Sequence, residues 1–139
     1  MKRVLVLCTG NSCRSQMAEA LLNQLGQGRF EAVSAGARPS GHVHPLSLKM
    51  IKEAGLSTEG LRSKSWDEFK GQKFDFVITV CDNAKESCPV WPGAGMIHWS
   101  IADPGDAPGS EEERMIHFRR IFEELKQRIS LFVAAQSRP

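Results

Sequence analysis

The sequence predicts an α/β fold of three layers: a four-stranded parallel sheet flanked by helices, with residues 1–139 forming one domain. Three observations predict it. Strand-like and helix-like segments alternate along the whole chain. Val4-Leu5-Val6-Leu7 is a continuous apolar run, as in a strand buried on both faces, and Phe74–Val80 ("FDFVITV") is dense in aromatic and β-branched residues. The residues best suited to chemistry follow strand-like runs, at the sheet edge where open α/β folds bind ligands.

The elements follow in order. Val4–Leu7 is the first strand. Residues 15–25 read as a helix, because Met17, Ala18, Leu21, Leu22 and Leu25 recur at helical spacing and Gly26 is a natural stop. Phe30–Ser34 is the second strand, closed by Gly36. Residues 45–54 form a helix with Pro45 at its start and Gly55 just past its end. Residues 65–70 predict a short helix capped by Ser65, with Glu68 at its third position. Phe74–Val80 is the third strand and Met96–Ile101 the fourth. Ser110-Glu111-Glu112-Glu113 is a capping-box pattern opening the longest helix. Along that helix Met115, Phe118, Ile121, Phe122, Leu125, Ile129 and Phe132 form one apolar stripe. Ala134–Pro139 is expected to fray.

Composition excludes several functions. A net charge of +2, with no basic run longer than two residues, offers no surface for nucleic acid or membrane. The apolar run after Lys2-Arg3 is far shorter than the roughly 7–15 residues of a signal peptide, and no stretch is long enough to cross a bilayer. The expectation is a cytoplasmic protein, with a monomer as the default. In a reducing compartment Cys8, Cys13, Cys81 and Cys88 are not structural disulfides. They are working thiols, metal ligands or buried filler. His42, His44, His98 and His117 lack ligand spacing and read as structural or solvated.

The segment "CTGNSCRS", Cys8 to Ser15, joins the first strand to the first helix. Such a loop turns backbone N–H groups inward, and the helix dipole adds positive potential. Gly10 permits positive φ and Asn11 tolerates it. Arg14 can clamp two oxygens of a tetrahedral oxyanion with its planar fork. The oxyanion cradle would thus comprise Gly10, Asn11, Ser12, Cys13, Arg14 and Ser15. Cys8 at its base is the nucleophile, with a thiol pKa expected to be depressed and with Ser15 donating to the thiolate. Asp103 lies in the turn-rich "DPGDAPG" after the fourth strand, which by itself reads as a loop.

These residues carry a resemblance. C-x5-R-S near the N-terminus resembles the low-molecular-weight protein tyrosine phosphatase fold. The longer "CTGNSCRSQMAEALL" resembles more closely the thioredoxin-coupled arsenate reductases of that superfamily. So do "SAG" at Ser34–Gly36, "VITVCDNAKESCP" at Val77–Pro89, "HW" at His98–Trp99 and the Asp103-Pro104 pair.

Electron count separates the two activities. A phosphatase moves no electrons and needs one thiol. Reducing arsenate to arsenite takes two electrons, which two thiols supply by forming a disulfide, and a third thiol can carry that disulfide away. The resemblance implies that Cys8 attacks arsenic, Asp103 protonates the departing oxygen and Cys81 attacks Cys8. Cys88 then attacks Cys81, and thioredoxin reduces the redox-active Cys81–Cys88 disulfide. It implies movement of residues 82–95 during the cycle, no cofactor and no metal. The alternative enzyme is a phosphatase acting on phosphotyrosine or a small phosphate ester. Phosphatases of this fold carry tyrosines after the Asp-Pro pair, whereas this chain has none. A redox sensor or a zinc module holding the four sulfurs is the non-catalytic alternative. Some relatives bind potassium at positions matching Asn11, Glu19 and Ser34, but Ser63-Lys64-Ser65-Trp66 stands where a further carboxylate would be needed, and Glu19 reads equally as an exposed helix residue.

Overall fold

A computed structural model describes residues 1–81 and 91–136. The elements are β1 (Lys2–Cys8), α1 (Arg14–Leu25), β2 (Phe30–Gly36), α2 (Pro45–Glu53), a 3-10 turn (Trp66–Phe69), β3 (Phe76–Thr79), β4 (Gly95–His98), a second 3-10 turn (Pro104–Asp106) and α3 (Glu111–Gln136). All four strands are parallel, in the order β2-β1-β3-β4. This is the predicted α/β architecture.

Val4, Leu5, Val6 and Leu7 are all fully buried. Side chains alternate across a strand, so four successive buried residues mean that both faces of β1 are covered. α3 packs along the neighbouring strands. Its Phe132 ring sits 5.8 Å from Phe30, 5.0 Å from Phe76 and 6.3 Å from Trp99. Trp66 and Phe69 of the first 3-10 turn are buried, with Phe69 edge-on to Phe74.

Several boundaries differ from expectation, each for a local reason. The third strand starts at Phe76 because the Asp75 carboxylate accepts the Arg3 N–H at 2.8 Å, a side chain standing in for a ladder carbonyl. The fourth ends at His98, although Trp99 N–H and Ile101 N–H still donate to Thr79 and Val80 carbonyls. Residues 66–69 form one 3-10 turn. Ser65 caps it, but Glu68 turns away to pair with Arg62. At α3 the predicted capping box is present: Ser110 and Glu113 exchange hydrogen bonds at 3.2 Å. Ala134–Gln136 are helical rather than frayed, since the buried Phe132 and Val133 anchor the last turns. Among the described residues no helix is long and apolar enough to cross a membrane.

The strand registers set the site. Cys8 pairs with Gly36, and Leu7 with Thr79, which in turn pairs with His98. The carboxyl ends of all four strands therefore meet at one edge, and the Cys8–Arg14 loop opens there.

Candidate active site

The loop from Cys8 to Cys13 is held from outside by its carbonyls. Those of Cys8, Thr9, Gly10 and Ser12 accept the N–H groups of Ala37, Arg38, Ser40 and His44. The Asn11 carbonyl accepts from Gln16 Nε2 at 2.9 Å, and that of Cys13 accepts the Met17 N–H inside α1. With the carbonyls turned outward, the N–H face points in. The Asn11 N–H donates to Cys8 Sγ at 3.1 Å. Asn11, not Gly10, takes the left-handed backbone, with φ of 50°. Glycine is needed instead at Gly36, where a Cβ would lie 2.5 Å from the Thr9 carbonyl oxygen. The sequence reads Gly36 as the close of a strand and the end of the "SAG" motif, with nothing to mark its close approach to the loop.

Asn11 is fully buried and organises the interior. Its Nδ2 donates to Ser15 Oγ (2.8 Å) and Ser34 Oγ (3.0 Å), and its Oδ1 accepts the Lys64 N–H. Ser15 Oγ thus accepts from Asn11, which leaves its own proton to donate to Cys8 Sγ, 2.9 Å away. The Cys8 thiol is nonetheless pushed up, a weaker acid than a free cysteine rather than the stronger one expected. Burial is the largest influence and pushes the thiol up; Ser15, the Arg14 charge and the Asn11 N–H pull it down without overcoming burial. Replacing Ser15 by alanine is expected to push the thiol up further and to slow Cys8 alkylation by iodoacetamide about 10-fold near neutral pH, since a charge-assisted hydrogen bond contributes roughly 1.5–3 kcal/mol. An unchanged pH profile of alkylation, followed by peptide mass, would remove this role.

Arg14 reaches from the loop to the segment after β4. Its Nη1 donates to the Ile101 carbonyl at 2.9 Å, and its Nη2 lies 3.5 Å from Asp103 Oδ2. Its Nε is buried and has no partner among the described residues. A buried guanidinium N–H left over beside an N–H nest is suited to an oxyanion oxygen. The structure thus brings Asp103 to the loop, as the sequence predicted. The other oxygen of Asp103 accepts the Gly105 N–H, capping the second 3-10 turn.

Cys81, 7% exposed, ends the chain segment after β3, and its Sγ lies 3.2 Å from Thr9 Oγ1. The second predicted thiol therefore sits against the residue next to Cys8. Cys8, Cys13 and Cys81 are free thiols. Cys88 and the rest of 82–90, part of the segment expected to move, lie outside the described residues. Cys13 is buried at the N-cap of α1. Burial, and then the Asp103 carboxylate, push its thiol up to about 11.

Glu19 is buried rather than an exposed helix residue. It accepts from Ser34 Oγ at 2.8 Å and lies 3.8 Å from Lys64 Nζ. Asn11, Glu19 and Ser34 do come together, and the cation beside Glu19 is the ammonium of Lys64. Among the described residues no group of three or more His, Cys, Asp or Glu is arranged to hold a metal. Two residues that sequence reading left as structural or unremarked, His44 and Arg114, also reach the site. The ring of His44 meets Arg114 Nη2 at 3.1 Å, and that nitrogen donates to the Gly105 carbonyl.

Comparison with known proteins matches this geometry. An arsenate reductase of Halalkalibacterium halodurans is 39% identical over 132 residues, 94% of each chain. A solved arsenate reductase in the phosphate-binding state has a TM-score of 0.81 and 30% identity, covering 97% of this chain and 98% of that one. The thioredoxin-dependent arsenate reductase of Corynebacterium glutamicum has a TM-score of 0.74 and 28% identity over 97% of this chain, which spans 61% of that longer protein. The low molecular weight phosphotyrosine protein phosphatase pattern matches residues 3–138, and the chain belongs to that family.

Proposed function

We propose that this protein reduces arsenate to arsenite by a thiol relay. The observation that carries the reading is a second thiol in the oxyanion site: Cys81 Sγ against Thr9, beside Cys8. Curated relatives from Halalkalibacterium halodurans and Bacillus subtilis, of similar length, are named arsenate reductases, which supports arsenate as the substrate. Arsenate sits in the loop against the N–H groups of residues 10–15 and the Arg14 guanidinium. Cys8 attacks arsenic, and Asp103 protonates the departing oxygen, which leaves as water. Cys81 then attacks the Cys8 sulfur. The electron pair of the S–As bond stays on arsenic, so As(V) becomes As(III), arsenite leaves, and two thiols become one disulfide. Cys88 attacks Cys81 and frees Cys8, and thioredoxin reduces the Cys81–Cys88 disulfide, as in the Corynebacterium relative described as thioredoxin-dependent. The cradle fits tetrahedral oxyanions generally, so weak hydrolysis of aryl phosphates accompanies this reading.

A single turnover tests it. Fully reduced protein is mixed with excess arsenate and no external reductant. The expected result is one arsenite per chain, two thiols lost and a Cys81–Cys88 disulfide in the peptide map. All four thiols intact and no arsenite would overturn the reading.

A further inference from the structure

The geometry points to Arg114, steered by His44, as a positioning residue that holds the Asp103 loop against the oxyanion loop. The inference rests on the reading of Asp103 as the general acid. Neither residue belongs to the C-x5-R, C-x6-C or Asp-Pro motifs. They lie 70 positions apart, one opening α2 and the other in the first turn of α3.

His44 is the N-cap of α2, where Pro45 has no N–H to offer and Leu46 N–H is the donor to be satisfied. Its main-chain N–H donates to the Ser12 carbonyl at 3.0 Å, which ties α2 to the oxyanion loop. Its ring packs on Phe118 with centroids 5.0 Å apart. Nδ1 faces the Leu46 N–H and Nε2 faces Arg114 Nη2, both at 3.1 Å. Arginine has donors alone, and a neutral imidazole accepts at one nitrogen. The ring therefore serves the helix cap or the guanidinium at any moment, not both. Burial, followed by the charge of Arg114, pushes the imidazole down as a base and keeps it neutral.

Arg114 has a second and unshared hold. Its Nη2 donates to the Gly105 carbonyl at 3.2 Å. Gly105 in turn donates its N–H to Asp103 Oδ1 at 2.9 Å. Gly105 is also wedged in place: a Cβ there would lie 3.1 Å from Asp103 Oδ1 and 3.2 Å from Cys13 Sγ. One residue thus carries the Arg114 contact on its carbonyl and orients the carboxyl with its N–H. When the ring accepts from Arg114, His44 also links the guanidinium to Ser12 of the cradle, through its main-chain N–H. The acid and the nest that binds its substrate are held in one frame, and displacement by about 1 Å in such frames can cost roughly 100-fold in rate.

Rapid-quench single turnovers on the reduced full chain test this, with phosphate affinity measured by calorimetry. R114M is expected to slow arsenite formation about 10-fold with phosphate affinity unchanged. D103N is expected to slow it about 100-fold, the lower range for general acid catalysis. The double variant D103N/R114M is expected to be no slower than D103N. Should R114M fail to fold, R114K carries the same cycle. Its ammonium keeps the charge and the donors of the one nitrogen that meets His44 and Gly105, but not the planar guanidinium that fixes its position, so a smaller loss that again vanishes with D103N is expected. A native rate in the Arg114 variant, or an equal further loss in the D103N background, overturns the positioning role. A native rate in D103N removes the acid assignment itself, a failure distinct from that of Arg114.

Discussion

Replacing Cys81 by serine is expected to abolish arsenite formation, by roughly 10³-fold or more, while oxyanion binding stays intact. The reason is electronic rather than steric. Serine keeps the contact with Thr9 Oγ1 that Cys81 makes at 3.2 Å. It cannot form a disulfide, so the chemistry stops with arsenic still bonded to Cys8. Cys13 is the nearest substitute in sequence, inside the loop itself. Its thiol is pushed up to about 11 by burial and by Asp103. At neutral pH its thiolate fraction is then about 10⁻⁴, too low to compete as an attacking group. The measurement is arsenite per chain in a single turnover of C81S, paired with phosphate binding by calorimetry. Stoichiometric arsenite from C81S would mean that another thiol closes the first disulfide, and the proposed order of the relay would fall.

What the sequence revealed about this site is what lies close together along the chain. Cys8, Asn11, Arg14 and Ser15 fall within one strand-to-helix turn, so their spacing alone predicts a cradle, and in the structure hydrogen bonds join Cys8, Asn11 and Ser15 within that turn. The parallel sheet was legible because strand-like segments alternate with helix-like ones along the chain, and its register then brings Cys81 and Asp103 to the same edge. What was not legible arises between distant segments. His44 and Arg114 each look ordinary in their own helix, and their meeting depends on how α2 and α3 pack. Lys64 sits in a polar stretch whose local pattern suggests solvent, yet its side chain is 7% exposed. The acidity of Cys8 shows the same limit from the other side. A motif predicts the groups that lower a thiol pKa, but burial is set by the whole fold, and here burial wins.

Lys64 gives the second large effect, this time on stability. Changing it to methionine keeps the buried stem and removes the ammonium that faces Glu19 at 3.8 Å. Breaking one side of a buried pair typically costs about 3–5 kcal/mol. Here the cost should depend on pH, with a definite sign. Burial already raises the Glu19 carboxyl, while Ser34 and then Lys64 pull it down. Without Lys64 it rises further. A carboxyl raised in the folded state holds its proton more tightly there than in the unfolded chain. Its penalty is therefore absent below the ordinary glutamate value of about 4.3 and grows as pH climbs through the folded value. K64M should be little less stable than the native protein near pH 5 and much less stable near pH 8. E19Q should remove most of that difference. The consequence reaches the nucleophile, because Glu19 is the acceptor that fixes Ser34, Ser34 accepts from Asn11, and Asn11 turns the Ser15 hydroxyl toward Cys8. Thermal unfolding of K64M, E19Q and the double variant across pH 5 to 8 decides the matter. An equal loss at every pH would mean that Lys64 acts through packing and its hydrogen bond to the Arg62 carbonyl, 3.0 Å away, and that its charge is not needed to hold Glu19.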